Sequence, residues 1–192
     1  MKKIVAIVGM PGAGKSYAAE YFKKAGFDYI RFGQATIDEI KKRGLDVNEQ
    51  NERIIREELR KTHGMAAYAI INLNKIEHSA HHVIIDGLYS WSEYKILKEK
   101  FNKQFYVLAI YAPPALRYER LTNRADQFKN DTTHTFRSIK REDAITRDYA
   151  EIEKIEKGGP IAMADYTIIN TQGIEHLASH IDSVIKELID TE

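Results

Sequence analysis

The chain has 192 residues, with 29 Lys and Arg against 28 Asp and Glu and a net charge of +1. So even a balance creates no whole-molecule field for a nucleic-acid or membrane partner, and any charge that binds an anion must be local. The absence of cysteine excludes a disulfide framework and thiolate chemistry, and the length suits one domain, 1–192, with a substantial core. No apolar run near the start has signal-peptide or membrane-spanning length, so a cytoplasmic protein is expected.

In chain order, the apolar run Ile4–Val8 predicts a buried strand. Directly after it, Gly9-Met10-Pro11-Gly12-Ala13-Gly14-Lys15-Ser16 satisfies every fixed position of the phosphate-loop pattern G-x-x-x-x-G-K-[ST]. A polyphosphate needs many converging donors, and a glycine-rich turn lets successive backbone N–H groups point into one concavity. Lys15 is expected to reach the β- and γ-phosphates of ATP and Ser16 to place its hydroxyl on Mg²⁺. The backbone of Gly9, Gly12, Ala13, Gly14 and Tyr17 completes the cradle, and the dipole of the helix carrying Ala18, Ala19, Tyr21, Phe22 and Ala25 adds attraction.

A second strand is predicted over Tyr29–Phe32, followed by a polar, helical insertion over 36–80. The third strand, Val83–Asp86, ends in Asp86-Gly87, where a carboxylate would hold Mg²⁺ directly or through water; Asp-Gly is also an ordinary turn. His78, His81 and His82 do not make a metal site, because neighbours along a strand face opposite ways. Ser90 fits an N-cap for a helix over Trp91–Phe101, with Glu93 completing a capping box. Trp91 is able to stack on a base, but core packing is the simpler account.

A fourth strand, Phe105–Tyr111, precedes Pro113-Pro114, which breaks the chain and primes a new helix. Another long segment follows over 117–163, where Gly158-Gly159-Pro160 is expected to end a charged helix. The fifth strand is Tyr166–Asn170. The last helix places Ile174, Leu177, Ala178, Ile181, Val184, Ile185, Leu188 and Ile189 on one face at three- and four-residue steps. Apolar strands alternating with helices predict a parallel α/β sheet with right-handed crossovers.

Three further elements sharpen this: Leu59-Arg60-Lys61-Thr62-His63-Gly64, Arg117-Tyr118-Glu119-Arg120-Leu121, and Ala164-Asp165 leading into the fifth strand. With the phosphate loop and Asp86-Gly87, they resemble the nucleoside monophosphate kinase and dephospho-coenzyme A kinase branch of the phosphate-loop kinases. The nearest likeness is to archaeal-type kinase-like proteins related to both. The resemblance implies a three-layer α/β/α fold with five parallel strands in the order 2-3-1-4-5, an acceptor-site insertion over 36–80 and a lid over 117–163. It also implies transfer of the γ-phosphoryl group of ATP, with Mg²⁺, to a small, nucleotide-like acceptor, by a monomer or homodimer with no nucleic-acid or membrane partner. Adenine is expected near Asn170-Thr171-Gln172-Gly173, with Asn170 and Gln172 as its contacts. Among the lid arginines, Arg120 and Arg141 are the candidates for the transferring phosphoryl group; Arg124, Arg137 and Arg147 also fit a solvated helix face.

The chain also departs from that pattern. Related kinases place Gly-Asp after the second strand and an arginine three residues on, where this chain has Gly33-Gln34 and Ile37; they carry arginine where it has Tyr89. Gln34 cannot accept the proton of a hydroxyl acceptor, and Ile37 and Tyr89 remove two cations from an acceptor phosphate. Asp38, one turn beyond Gln34, is the candidate replacement acid. Gln34, Arg60, Asp86 and Tyr89 are the expected acceptor contacts, while Arg53 and Arg56 suit a solvated face. A nucleotide-binding switch without transfer, or a simple ATP hydrolase, is the alternative.

Overall fold

A computed structural model describes residues 1–123 and 139–190. Its strands are β1 (Ile4–Val8), β2 (Asp28–Arg31), β3 (Val83–Asp86), β4 (Phe105–Tyr111) and β5 (Tyr166–Ile169). They form one parallel sheet in the order β2-β3-β1-β4-β5, as expected. The helices are α1 (Lys15–Lys24), α2 (Gln34–Lys42), α3 (Glu49–His63), α4 (Ala67–His78), α5 (Trp91–Phe101), α6 (Pro114–Thr122), α7 (Arg141–Glu153), α8 (Gly158–Ala162) and α9 (Ile174–Asp190). None is long and apolar enough to cross a membrane.

The central strand explains the layering. All five residues of β1 are buried, and the two-residue side-chain period sends them into different cores. Ile4, Ala6 and Val8 join Val83, Ile85, Phe105 and Val107 under α4 and α5. Val5 and Ile7 join Ile84, Leu108 and Ile110 under α1 and α9. A strand apolar on both faces is stable only between two helical layers, and that sandwich fixes the carboxyl end of β1, where the phosphate loop begins.

Local signals set most boundaries. Asn48 caps α3 by accepting the Asn51 N–H at 2.9 Å. The capping box of α5 forms as predicted, with the Glu93 N–H donating to Ser90 Oγ and the Ser90 N–H to Glu93 Oε2, both at 3.0 Å. Both Tyr29–Phe32 and Tyr166–Asn170 end one residue sooner than expected. Phe32 and Asn170 still donate backbone N–H groups to Asp86 O at 2.9 Å and Tyr111 O at 2.7 Å, but there the chain turns out of the strand. Gly158-Gly159-Pro160 does not end the preceding helix, which stops at Glu153; these residues open α8. Gly159 lies so close to Trp91 that an added Cβ would sit 2.8 Å from its ring. Ile174 and Ile189, expected in the core, lie at the two ends of α9 and are exposed.

Helices α6 and α7 are joined by a buried ion pair. Arg117 Nη1 donates to Asp148 Oδ1 at 2.9 Å and Nη2 pairs with the other oxygen, while Tyr118 Oη donates to Asp148 at 3.0 Å. Because both charges are buried, removing one strands the other in a low dielectric. Arg117→Met should therefore cost about 3–5 kcal/mol in urea unfolding, and Arg117→Met/Asp148→Leu should cost less than the single change.

Glu93 gives the fold a pH dependence. Burial pushes its carboxyl up from 4.5 to about 7, against the Tyr89 and Ser90 N–H groups, which favour the ionised form. Folded Glu93 thus keeps a proton that the unfolded chain releases, so stability falls as pH rises between about 4.5 and 7. A shift of that size corresponds to about 3 kcal/mol. Urea unfolding at pH 5 and pH 8 should reveal this slope, and Glu93→Gln should flatten it.

Candidate functional site

The phosphate loop is shaped by glycines that no other residue could replace. Gly12 has φ +80° and Gly14 φ +110°, the left-handed half of backbone space. A Cβ on Gly12 would lie 2.7 Å from Arg117 O, and one on Gly14 2.5 Å from Asn170 Nδ2. The loop therefore closes against α6 on one side and the end of β5 on the other. At its far end, the first turn of α1 leaves the Lys15 and Ser16 N–H groups without helical acceptors, pointing along the helix axis toward the concavity.

Two buried side chains hold the loop from behind. Arg117 donates to Pro11 O at 3.1 Å and to Ala112 O at 3.0 Å. Asn170 Nδ2 donates to Ala13 O at 2.8 Å. Arg120 spans the same gap, with Nη2 3.0 Å from Asn170 O and Nη1 3.5 Å from Gly12 O. Its guanidinium is half-buried against the loop.

Lys15 folds back over the loop and donates to Met10 O at 3.1 Å. Burial, followed by the charge of Lys157, lowers its ammonium from 10.5 to about 7, opposed by the carboxylates of Glu151 and Asp86. Asp86 is brought there by register, since it ends β3 beside Ile7 of β1 and Arg31 of β2. Its Oδ2 accepts the Tyr29 hydroxyl at 2.9 Å. Lys15 and Asp86, 71 positions apart in the sequence, thus share one electrostatic site.

Beyond Asp86 the wall is Tyr89. Its hydroxyl lies against Gly87, where a Cβ would be 2.8 Å away, and faces Gly33, where a Cβ would be 3.9 Å away. The ring meets Tyr68 edge-on at 6.4 Å. Burial and the nearby Asp86 carboxylate hold its phenol far above the ordinary value. Lys157 Nζ sits 5.3 Å from the ring centroid and pairs with Glu151, which also accepts Arg147 Nε at 2.9 Å. Lys157 and Glu151 were not singled out by spacing, and Arg147 fitted a solvated helix face. An Arg and a Glu four apart read as a surface pair, and a lysine before two glycines reads as a solvated helix end. Only the fold returns α7 to Lys15.

Several expected contacts lie elsewhere. Asp38 does not point inward: its carboxylate is about half exposed, accepts Gln34 Nε2 at 2.9 Å and faces Lys75 at 3.8 Å. Gln34 is thereby committed to Asp38. Tyr17 turns away from the loop toward α9, with its hydroxyl 3.1 Å from that of Tyr21; only its backbone stays near. The Arg141 guanidinium lies 5.6 Å from the Tyr118 ring centroid, in the α6–α7 contact. Arg60 stacks over Tyr68 at 5.9 Å, with a buried Nε that has no partner. Asn170 is a brace for the loop, and Gln172 is exposed beside it. Trp91 stacks on Tyr94 at 4.8 Å and is committed to packing. Arg53 and Arg56 pair with Glu57 and Glu52 on the outer face of α3. Arg124 and Arg137 lie outside the described residues.

Comparison with known proteins agrees with this geometry. A family model described as AAA domain matches residues 5–148. A UPF0200 protein of Thermococcus gammatolerans is 32% identical over 190 residues, covering 97% of this chain and 95% of its own. UPF0200 protein MJ1399 of Methanocaldococcus jannaschii is 30% identical, with 97% and 91% covered. Among solved structures, the shikimate kinase of Acinetobacter baumannii in complex with shikimate superposes with a TM-score of 0.56 at 17% identity, covering 100% of this chain and 97% of its own. A gluconokinase of Sinorhizobium meliloti gives 0.54 at 14% identity, with 98% and 95% covered; at such identities the likeness speaks for the fold. With a phosphate loop at the carboxyl edge of a 2-3-1-4-5 sheet, this chain has a P-loop kinase-like fold and belongs to the UPF0200 family of AAA-domain proteins.

Proposed function

We propose that the protein is an ATP- and Mg²⁺-dependent phosphotransferase that moves the γ-phosphoryl group to a small, nucleotide-like acceptor. The observation that carries this reading is the meeting of Lys15, folded over the phosphate loop, with Asp86 and a second group of cations on the opposite wall. Donor phosphates would lie on the loop N–H groups and Lys15, with Arg120 swinging from Gly12 O onto them. Ser16 Oγ and the Asp86 carboxylate fit Mg²⁺, a hard cation that takes few protein ligands beside a triphosphate and keeps several waters. Among the described residues no three His, Cys, Asp or Glu side chains cluster as an all-protein metal cage, which agrees with a metal completed by phosphate oxygens. Bound there, the metal would neutralise charge developing between the β- and γ-phosphates.

The acceptor reading follows from proton bookkeeping. A hydroxyl acceptor needs a base, and Gln34 cannot serve while Asp38 is held at the exposed rim. A phosphate oxygen is already ionised near neutral pH and attacks without one, so the work reduces to positioning and charge neutralisation. An even overall charge fits a small-molecule acceptor. One observation favours a second reading: Tyr89 fills the space between Gly33 and Gly87, as in a nucleotide-binding switch whose acceptor cleft is closed.

Lys15→Ala should weaken binding of a non-hydrolysable ATP analogue about 10- to 100-fold in calorimetry. Gly14→Ala should weaken it as well, because its Cβ would displace Asn170. Arg60→Ala should leave analogue affinity unchanged and reduce only acceptor-dependent transfer. Transfer from ATP is to be screened with nucleoside monophosphates, dephospho-coenzyme A and small alcohols, and EDTA should abolish it. No transfer to any acceptor at full nucleotide occupancy would overturn the kinase reading in favour of the switch.

A further inference from the structure

The donor site leaves one buried cation unused. Lys157 is almost fully buried, 2% exposed, yet it lies in a turn between α7 and α8, where a lysine ordinarily reaches solvent. Its stem is not the reason for burial, because its ammonium faces the Tyr89 ring and the Glu151 carboxylate. Glu151 is itself shared with Arg147. The carboxylates of Glu151 and Asp86 act on Lys15 against the charges of Lys157 and Arg147. Once a triphosphate occupies Lys15 and a metal occupies Asp86, Glu151 is the carboxylate left between Lys157 and Arg147, since Asp148, which also acts on Lys157, is already paired with Arg117, and the wall beside Tyr89 carries a surplus positive charge.

A buried ammonium and a guanidinium converging on one carboxylate also have the donor geometry for a phosphate. The two are not equally accessible. The Arg147 side chain is 53% exposed and the Glu151 side chain 8%, so Arg147 marks the mouth of the site and Lys157 its floor. The Tyr89 ring gives the floor an apolar face on which the ammonium rests, at a distance suited to a cation–π contact.

We propose that Lys157 and Arg147 bind a phosphate group of the acceptor, and that Glu151 is the internal carboxylate holding the two cations until that phosphate displaces it. This inference rests on the phosphotransferase reading for the identity of the site as the acceptor's, but not for the binding itself. It places acceptor recognition on the return arm of the lid, compensating for the cations absent at Ile37 and Tyr89. The acceptor class is then a phosphate monoester, because its dianion offsets the charge of both cations where a carboxylate offsets only one.

The test is titration of the full chain with inorganic phosphate by calorimetry, with and without a saturating non-hydrolysable ATP analogue and Mg²⁺. Wild-type protein should bind two phosphates alone and one with the analogue present, and acetate should bind at least ten-fold more weakly. Lys157→Met should lose the phosphate that persists beside the analogue, each variant being titrated with the analogue at its own saturating concentration; Lys157→Arg should restore it. Glu151→Gln, which removes the competing carboxylate, should tighten that phosphate about ten-fold, whereas a purely structural ion pair would give a less stable protein with no gain in binding. Should Lys157→Met fail to fold, Glu151→Gln and Lys157→Arg decide the matter alone. Unchanged phosphate affinity in folded Lys157→Met, no tightening in Glu151→Gln, or no second phosphate in wild type overturns the proposal. Analogue binding with no second phosphate overturns this inference while leaving the kinase reading intact. Two phosphates bound without any analogue binding would instead remove the ATP-dependent reading and keep the anion site.

Discussion

The Arg117 guanidinium joins three parts of the chain that carry chemistry. It holds the phosphate loop through Pro11 O, the end of β4 through Ala112 O and the return helix α7 through Asp148. A buried charge in such a position is a poor source of net stability, because desolvation offsets most of the attraction. Its consequence is geometric. With Arg117 fixed, α7 has one orientation, and that orientation points Arg147, Glu151 and the turn bearing Lys157 toward Lys15.

The same economy of few, fully engaged polar groups runs through the site. Asn170 satisfies the loop carbonyl of Ala13 and closes against Gly14, which commits one of its amide hydrogens to the loop. Tyr89 gives up solvent to line the cleft between Gly33 and Gly87. Lys15 remains over Met10 O among other cations, in an environment that penalises its charge. In the proposed reaction a polyphosphate would relieve that penalty, because a neighbouring negative charge favours the protonated lysine.

Much of this was legible in the sequence because it is local. The apolar run of β1, the loop after it, the Ser90 and Glu93 capping box and the Asp86 strand end each depend on neighbours within a few residues. The strand order followed from the family pattern. What spacing misjudged were side chains whose direction is decided by a distant partner. Asp38 is drawn outward by Gln34 and Lys75. Arg141, expected at the phosphates, lies on Tyr118. Ile174 and Ile189 keep the helical period of the buried face but extend past the ends of the core.

By itself, then, the sequence determined the donor end of the protein: a strand buried on both faces, a glycine loop and a lysine at a helix N-terminus, all held together by short-range backbone geometry. The wall beside Tyr89 was decided only by the tertiary structure. Lys157 stands 142 positions from Lys15, in a charged stretch that reads as solvent-facing. Its place beside Tyr89 and Glu151 is created when α7 folds back and burial removes the water that would otherwise screen its charge.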